Sequence, residues 1–239
     1  MTEPRRIRLA PSAALKERRL ATLLAGRDER DPPIAEAVDD AQLLGSLELA
    51  GFGFSWEQVT ASRRGEEAPE PLAALRRAQT VVDPKAPLTA ASVLTWHSAA
   101  TGSTAGYRTA SRDRPGGPPP SPPEFIRARL ESLEHWLAVD SGRELSAAQQ
   151  GALALARLVE ILPFDDANGR VSRLAASHLM RRAGARAPIL VGGDRLRLEQ
   201  CLQAAFQLST EPLVALLQEA SERALDVAIQ TLERLSNGR

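Results

Sequence analysis

Between positions 162 and 173 the chain runs Leu162-Pro163-Phe164-Asp165-Asp166-Ala167-Asn168-Gly169-Arg170-Val171-Ser172-Arg173, a stretch that places acidic, asparagine, glycine and arginine residues together between two segments that read as helices. Pro163 disfavours helical geometry at the residue before it, so a helix ends at Leu162 and a loop begins. Asp165 and Asp166 put two carboxylates in that loop, while Asn168-Gly169 supplies backbone that can turn sharply and aim its N–H groups at a ligand. The next helix starts around Gly169 or Arg170, bringing its free N–H groups and the positive end of its dipole to the same point. Arg170 and Arg173 lie one turn apart on one face, and Ser177 continues the line. Two arginines in a first turn oppose the helix dipole by about 0.3–1 kcal/mol each. A bound anion would remove that conflict. The chemistry suggested is the holding of a phosphate-like group; the competing reading is a surface loop whose charges pair with one another.

Over these residues the chain resembles the Fic (Fic/Doc, or Fido) family, whose motif is His-Pro-Phe-x-Asp/Glu-Gly/Ala-Asn-Gly/Lys-Arg-x-x-Arg. Pro163, Phe164, Asp166, Ala167, Asn168, Gly169, Arg170 and Arg173 fall on it in register. The resemblance implies an all-α helical bundle with a short β-hairpin flap. It also implies nucleotidyl transfer, in which AMP passes from ATP to a hydroxyl side chain of a target protein (AMPylation). Asp166 would hold Mg2+ against the phosphates, Asn168, Gly169, Arg170 and Arg173 would cradle them, and Phe164 would anchor the loop in the core. Mg2+ and ATP, or another nucleotide, are the cofactors so implied. The partners are a nucleotide or other phosphate-containing ligand and a protein target at the flap, where strand addition aligns the target segment. Gly106, Tyr107 and Arg108 look like the family's Gly-x-Tyr-Arg lead-in to that flap, shortened by one residue.

The chain departs from the pattern at two places. Leu162 stands where the family has the histidine that takes the proton from the attacking hydroxyl, and leucine cannot accept one. General-base catalysis contributes about 10²–10⁴ in rate, so ordinary AMP transfer is not expected. Asp165 is a candidate replacement base only if burial or a neighbouring charge raises its pKa. His178 lies eight residues beyond Arg170, about 12 Å along the helix axis, in an apolar stripe with Val171, Leu174, Ala175 and Leu179. It reads as a packing histidine. His97 and His135, each beside a tryptophan, read the same way. Leu162 extends the apolar spacing of Leu155, Leu158 and Val159 and is expected to pack into the core. The second departure concerns the Ser/Thr-x-x-x-Glu-Gly/Asn element with which many family members block ATP binding. Ser46-Leu47-Glu48-Leu49-Ala50-Gly51 fits its frame with Ala50 in place of the glutamate, and Glu48 faces another side of the helix. Base and brake are both missing. Three readings follow: a degenerate Fic protein, a pseudoenzyme that binds a nucleotide or a partner; an enzyme of altered chemistry that processes a phosphate-containing substrate without the histidine; and an interaction scaffold with a dead pocket. The tyrosine pair that meets the nucleotide base in relatives is absent, so the base is not specified.

The remaining elements support this loop. With 43% hydrophobic and 25% charged residues in 239, the composition is that of an ordinary globular protein able to bury a good core. Zero formal net charge makes nucleic acid an unfavoured partner. Cys201 is the single cysteine, which excludes an internal disulfide. No apolar run of signal-peptide or membrane-span length follows Met1, so a cytoplasmic protein without a membrane partner is expected. The dominance of arginine and alanine points to a GC-rich bacterial genome. Apolar spacing predicts helices over 11–25, 32–51, 71–82, 88–101, 124–139, 170–182 and 195–208. Capping-box patterns at Ser55/Gln58 and Ser146/Gln149 open two more, and Pro212 opens a long C-terminal helix. The helix after Ser146 is apolar almost all round and should be the buried central one, delivering the motif loop to the surface. Pro115 to Pro123 reads as an extended connector. The expected organisation is a Fic-like domain over 32–217, an N-terminal helical extension over 1–31, and the remainder of the C-terminal helix over 218–239.

Overall fold

The computed structural model describes residues 11–24, 26, 28–104, 106–114, 117–139 and 144–237. Among them the helices are α1 (Pro11–Leu24), α2 (Pro32–Leu49), α3 (Trp56–Arg63), α4 (Glu70–Thr80), α5 (Ala90–Thr101), α6 (Ile126–Ala138), α7 (Ala147–Ile161), α8 (Asn168–Arg182), α9 (Arg195–Phe206) and α10 (Glu211–Asn237). Short 3₁₀ turns lead into α6 and α9. The expected capping boxes open α3 and α7, and Thr89 with Ser92 forms a further one before α5.

α7 and α8 make a central antiparallel hairpin with apolar residues on two sides. On one side Ala152 and Leu155 of α7 and Ala176 and Met180 of α8 pack against Leu213, Leu216, Leu217 and Ala220 of α10. On the other, Leu158, Ile161, Phe164, Val171, Ala175 and Leu179 meet Trp96 of α5 and Ile126 and Leu130 of α6. Burying each such large side chain is worth roughly 1.5–3 kcal/mol. The loop between the two helices is therefore held at both ends by buried apolar packing. α1 joins through a separate cluster in which Leu20 and Ile34 pack on Leu225, Ile229 and Leu232 of α10. α2 approaches the segment before α9 so closely that a Cβ on Gly45 would lie 1.8 Å from the Leu190 carbonyl oxygen. Only glycine permits this, and it brings the last turn of α2 against the α8–α9 connection.

Two sequence expectations are corrected here. Among the described residues no strand forms, so the β-hairpin flap expected around 101–109 is not seen. Its backbone groups are used elsewhere: the Arg108 N–H donates to the Pro163 carbonyl (3.0 Å), and the prolines that follow carry no N–H for a strand ladder. His135 is exposed on α6 rather than packed in the core. His178, by contrast, is buried edge-on to Trp96 with ring centroids 5.2 Å apart.

Candidate anion-binding site

The site begins where α7 ends. Leu162 turns the backbone into the left-handed region (φ 50°, ψ 64°), a conformation that costs a residue with a Cβ on the order of 1–3 kcal/mol. Its side chain is half-buried and lies outside the core clusters, so the expectation that it continues the α7 core stripe is corrected. The left-handed turn rotates it off the helix's buried face. The last carbonyls of a helix have no donors within it, and two arginines supply them. Arg114 Nη2 donates to Val159 and Glu160. Arg108 donates to Ile161 through Nη2 (3.4 Å) and to Leu162 through Nε (2.6 Å). Arg108 also bonds the carbonyls of Ala110 and Ser121 and is 2% exposed. Burial lowers the pKa of both guanidiniums from the usual arginine value, and the negative end of α7 compensates them. Thus Arg108 is a helix cap; Gly106 is exposed beside it, and Tyr107 reaches the Ala90 carbonyl (3.3 Å).

The loop itself is closed by side chains. Asn168 brackets Phe164, accepting from its N–H (3.0 Å) and donating to its carbonyl (2.8 Å). Phe164 is buried and stacks on His97 with ring centroids 3.7 Å apart, while Tyr107 lies 5.8 Å from it. His97 is pushed to a lower pKa by burial, against which a hydrogen bond to the Asp166 backbone and the Asp166 charge act. It is a packing histidine, as expected, but one that supports the motif loop directly. Ala167 then takes a left-handed conformation (φ 61°, ψ 6°) as N-cap of α8. The first bond of that helix is Val171 N–H to Ala167 (3.0 Å), so the N–H groups ahead of it have no intrahelical acceptor.

The charged groups surround that helix end. Asp166 is exposed and pairs with Arg170 (3.0 Å), which is buried and also donates to the Ala100 carbonyl (3.2 Å). Asp165 is exposed and pairs with Arg112 (2.7 Å); nothing around it supplies the burial that a base role asks for. Arg173 donates through Nε to the Ser46 hydroxyl (3.0 Å) and through Nη2 to the Ser46 carbonyl (2.7 Å). Its Nη1 lies 3.0 Å from where a Cβ on Gly169 would sit. Among the described residues no carboxylate pairs with it, and Ala50, the α2 C-cap, brings none. Burial, then the charges of Arg170 and Arg195, push its pKa down to about 9. Ser177 is turned away from this point and accepts from Gln42 (2.6 Å).

The arrangement suits an anion. A cradle that one methyl group would fill, a helix N-terminus and an unneutralised guanidinium converge on Gly169. Among the described residues no three acidic, histidine or cysteine side chains gather to hold a metal. A Mg2+ here would take Asp166 and the ligand's own phosphate oxygens, which is how this ion is commonly bound. Sequence reasoning missed Arg114, and Arg195 near Arg173. Nothing local links residue 114 to carbonyls 45 residues later.

The chain is similar to known proteins in sequence and in fold. Residues 87–180 match the sequence model of the Fic/DOC family. The protein adenylyltransferase Fic of Drosophila grimshawi is 33% identical over 112 residues, which are 47% of this chain and 23% of that protein. Its counterpart in Culex quinquefasciatus is 31% identical over 122 residues, 51% of this chain and 24% of that protein. The chain spans about a quarter of the length of the curated relatives it matches. Among solved structures, a Fic-domain signalling protein from Bacteroides thetaiotaomicron superposes with TM-score 0.74 at 18% identity, over 92% of this chain and 97% of that one. The Fic-1 protein of C. elegans gives 0.71 at 17%, over 95% and 75%. IbpAFic2 in complex with adenylylated Cdc42 gives 0.55 at 18%, over 90% and 72%. At these identities the structural likeness establishes the fold alone.

Proposed function

The chain carries a Fic domain, and from that premise we propose that it binds a phosphate-containing ligand, a nucleotide with Mg2+, in the loop 163–173 without performing ordinary protein AMP transfer. The observation that carries this reading is Leu162. A hydrocarbon side chain occupies the position of the general base, on a strained and tightly capped backbone, while the residues proposed to cradle the anion lie together beyond it. Asn168 fixes the loop's shape, Gly169 admits the phosphate, and Arg170 and Arg173 neutralise it. Asp166 would hold Mg2+, which supplies further neutralisation of the phosphate charge when bound. No side chain on the loop is placed to take a proton from an attacking hydroxyl: His97 is stacked beneath Phe164 and Asp165 is committed to Arg112. The protein then acts through its ligand-bound state, by binding the nucleotide or a partner that reads it.

The test is calorimetric titration with Mg2+ and a panel of nucleotides, alongside labelled-ATP transfer assays. The wild-type chain is expected to bind at least one nucleotide, Arg170→Ala to lose about tenfold or more, and neither to transfer label. Leu162→His should create self-modification or target modification. Label transfer by the wild-type chain would overturn the loss of chemistry, and failure to bind any nucleotide would overturn the retained cradle.

A further inference from the structure

Between α6 and α7 lies an open cavity of about 440 Å3 that shares no residue with the loop 163–173. Its floor is apolar: Leu133 and Ile161 belong to the core, and Leu153 packs against it from the rim. Trp136 stands half-buried beside them. The other end is charged and is lined by Arg129, Arg157 and Glu160. Arg157 bonds the Glu160 carboxylate (2.6 Å), which leaves Arg129 with an ion pair of 3.9 Å and, among the described residues, no hydrogen bond. Arg129 and Trp136 are two turns apart on α6, about 10 Å along its axis, so the free cation and the ring mark opposite ends of the cavity.

Long arginine side chains often lie over apolar surface with no ligand involved. Here that account leaves both ends of the cavity unmet. Two guanidiniums face one carboxylate, and Glu160 is shared further, since its charge opposes the burial that lowers the pKa of Arg114 at the end of α7. α7 has no other carboxylate, and those of α6 are engaged elsewhere. Glu134 accepts from the Ala90 N–H at the start of α5 (3.0 Å). Glu131 acts with Arg127 on the Tyr107 side, where burial is the main cause that raises the tyrosine's pKa. The charged end is thus net positive with Glu160 counted, while aromatic and aliphatic surface lines the rest.

The size of the cavity points to a small ligand. Eight residues line it, against about 20–30 on each side of a protein interface, and its volume falls within the roughly 300–1,000 Å3 of small-molecule pockets. We infer that it binds a small amphipathic acid, whose aromatic or branched apolar body lies against Leu133, Trp136 and Leu153 and whose single carboxylate meets Arg129 and Arg157. A planar carboxylate takes two parallel hydrogen bonds from a guanidinium, which gives Arg129 the partner that Glu160 does not supply.

The experiment titrates the protein, by calorimetry and by tryptophan emission, with 4-phenylbutyrate, 5-methylhexanoate and the uncharged 4-phenylbutan-1-ol. The wild-type chain is expected to bind at least one of the acids saturably, and 4-phenylbutyrate about tenfold or more tighter than the alcohol. Arg129→Gln should weaken the acid by a similar factor and leave the alcohol unchanged. Ser132 is exposed and its hydroxyl bonds its own helix, so Ser132→Phe should place a ring in the cavity and abolish binding of both. In Trp136→Phe the emission change should vanish while the calorimetric heat remains, which locates the ligand. Wild-type protein that binds neither acid would overturn the proposal. So would equal affinity for acid and alcohol, which describes an apolar cleft without carboxylate recognition, and so would undiminished binding in Ser132→Phe, which puts the ligand elsewhere. Thermal melts confirm that each variant is folded; both Arg129 and Ser132 are surface positions.

Discussion

Gly169→Ala should move stability and affinity in opposite directions. Gly169 lies in the first turn of α8, so an alanine there gains helix propensity of about 0.5–1 kcal/mol over glycine. The new Cβ would fall 3.0 Å from Arg173 Nη1. That nitrogen is the end of a flexible side chain, but Ser46 holds Nε and Nη2, so it must shift by a few tenths of an ångström at a cost of several tenths of a kcal/mol. The net effect on folding is about +0.3 kcal/mol, a rise of roughly 1 °C for a chain of this length. Ligand binding loses more. The methyl group takes the place of the phosphate and displaces a guanidinium, and one charge-assisted hydrogen bond is worth about 1.5–3 kcal/mol, or about 10- to 100-fold in Kd. A melt and a titration on the same sample check both. A variant that binds as tightly as wild type would refute the placement of the anion on Gly169, and one that melts several degrees lower would refute the assumption that Arg173 can give way.

Arg173 has a further consequence for pH. Burial holds its folded pKa at about 9, below the value of an arginine in the unfolded chain, so above about 9 the unfolded chain binds more protons and the residue's contribution to stability rises with pH. Below about 9 the cost of charging it is fully present, and a bound anion relieves that cost; nucleotide binding should weaken as pH rises through about 9 and be accompanied there by proton uptake, measurable by calorimetry in buffers of different ionisation enthalpy. Arg108→Ala removes a buried guanidinium from four carbonyls and should cost about 3 kcal/mol or more, lowering the melting temperature by about 6–12 °C. Phe164→Ala should cost about 3–5 kcal/mol and abolish nucleotide binding, because the loop loses its anchor on His97; an unchanged Kd would show that Asn168 alone holds the loop.

Much of the site was legible in sequence because it is local. The proline after Leu162, the capping boxes and the arginines at positions 170 and 173 act within one or two turns, where spacing along the chain is spacing in space. The flap expectation failed for the opposite reason. Whether residues 106–114 form strands depends on what Arg108 and Arg114 bond to, and their acceptors are the carbonyls at the end of α7, some 45 to 54 residues away. His135 was misplaced because a tryptophan neighbour says nothing of which face of α6 is covered.

By itself the amino-acid sequence determined the helical class, the loop between the two central helices and the absence of a base at position 162, since these depend on residue identity and short-range geometry. The tertiary structure alone decided how the loop is held and what charge it lacks. Glycine at position 45 lets α2 approach until Ser46 meets Arg173, and the turn before α9 brings Arg195 to the last turn of α2. Uncompensated charge is a sum over neighbours distant in sequence, so it exists only once the helices are packed.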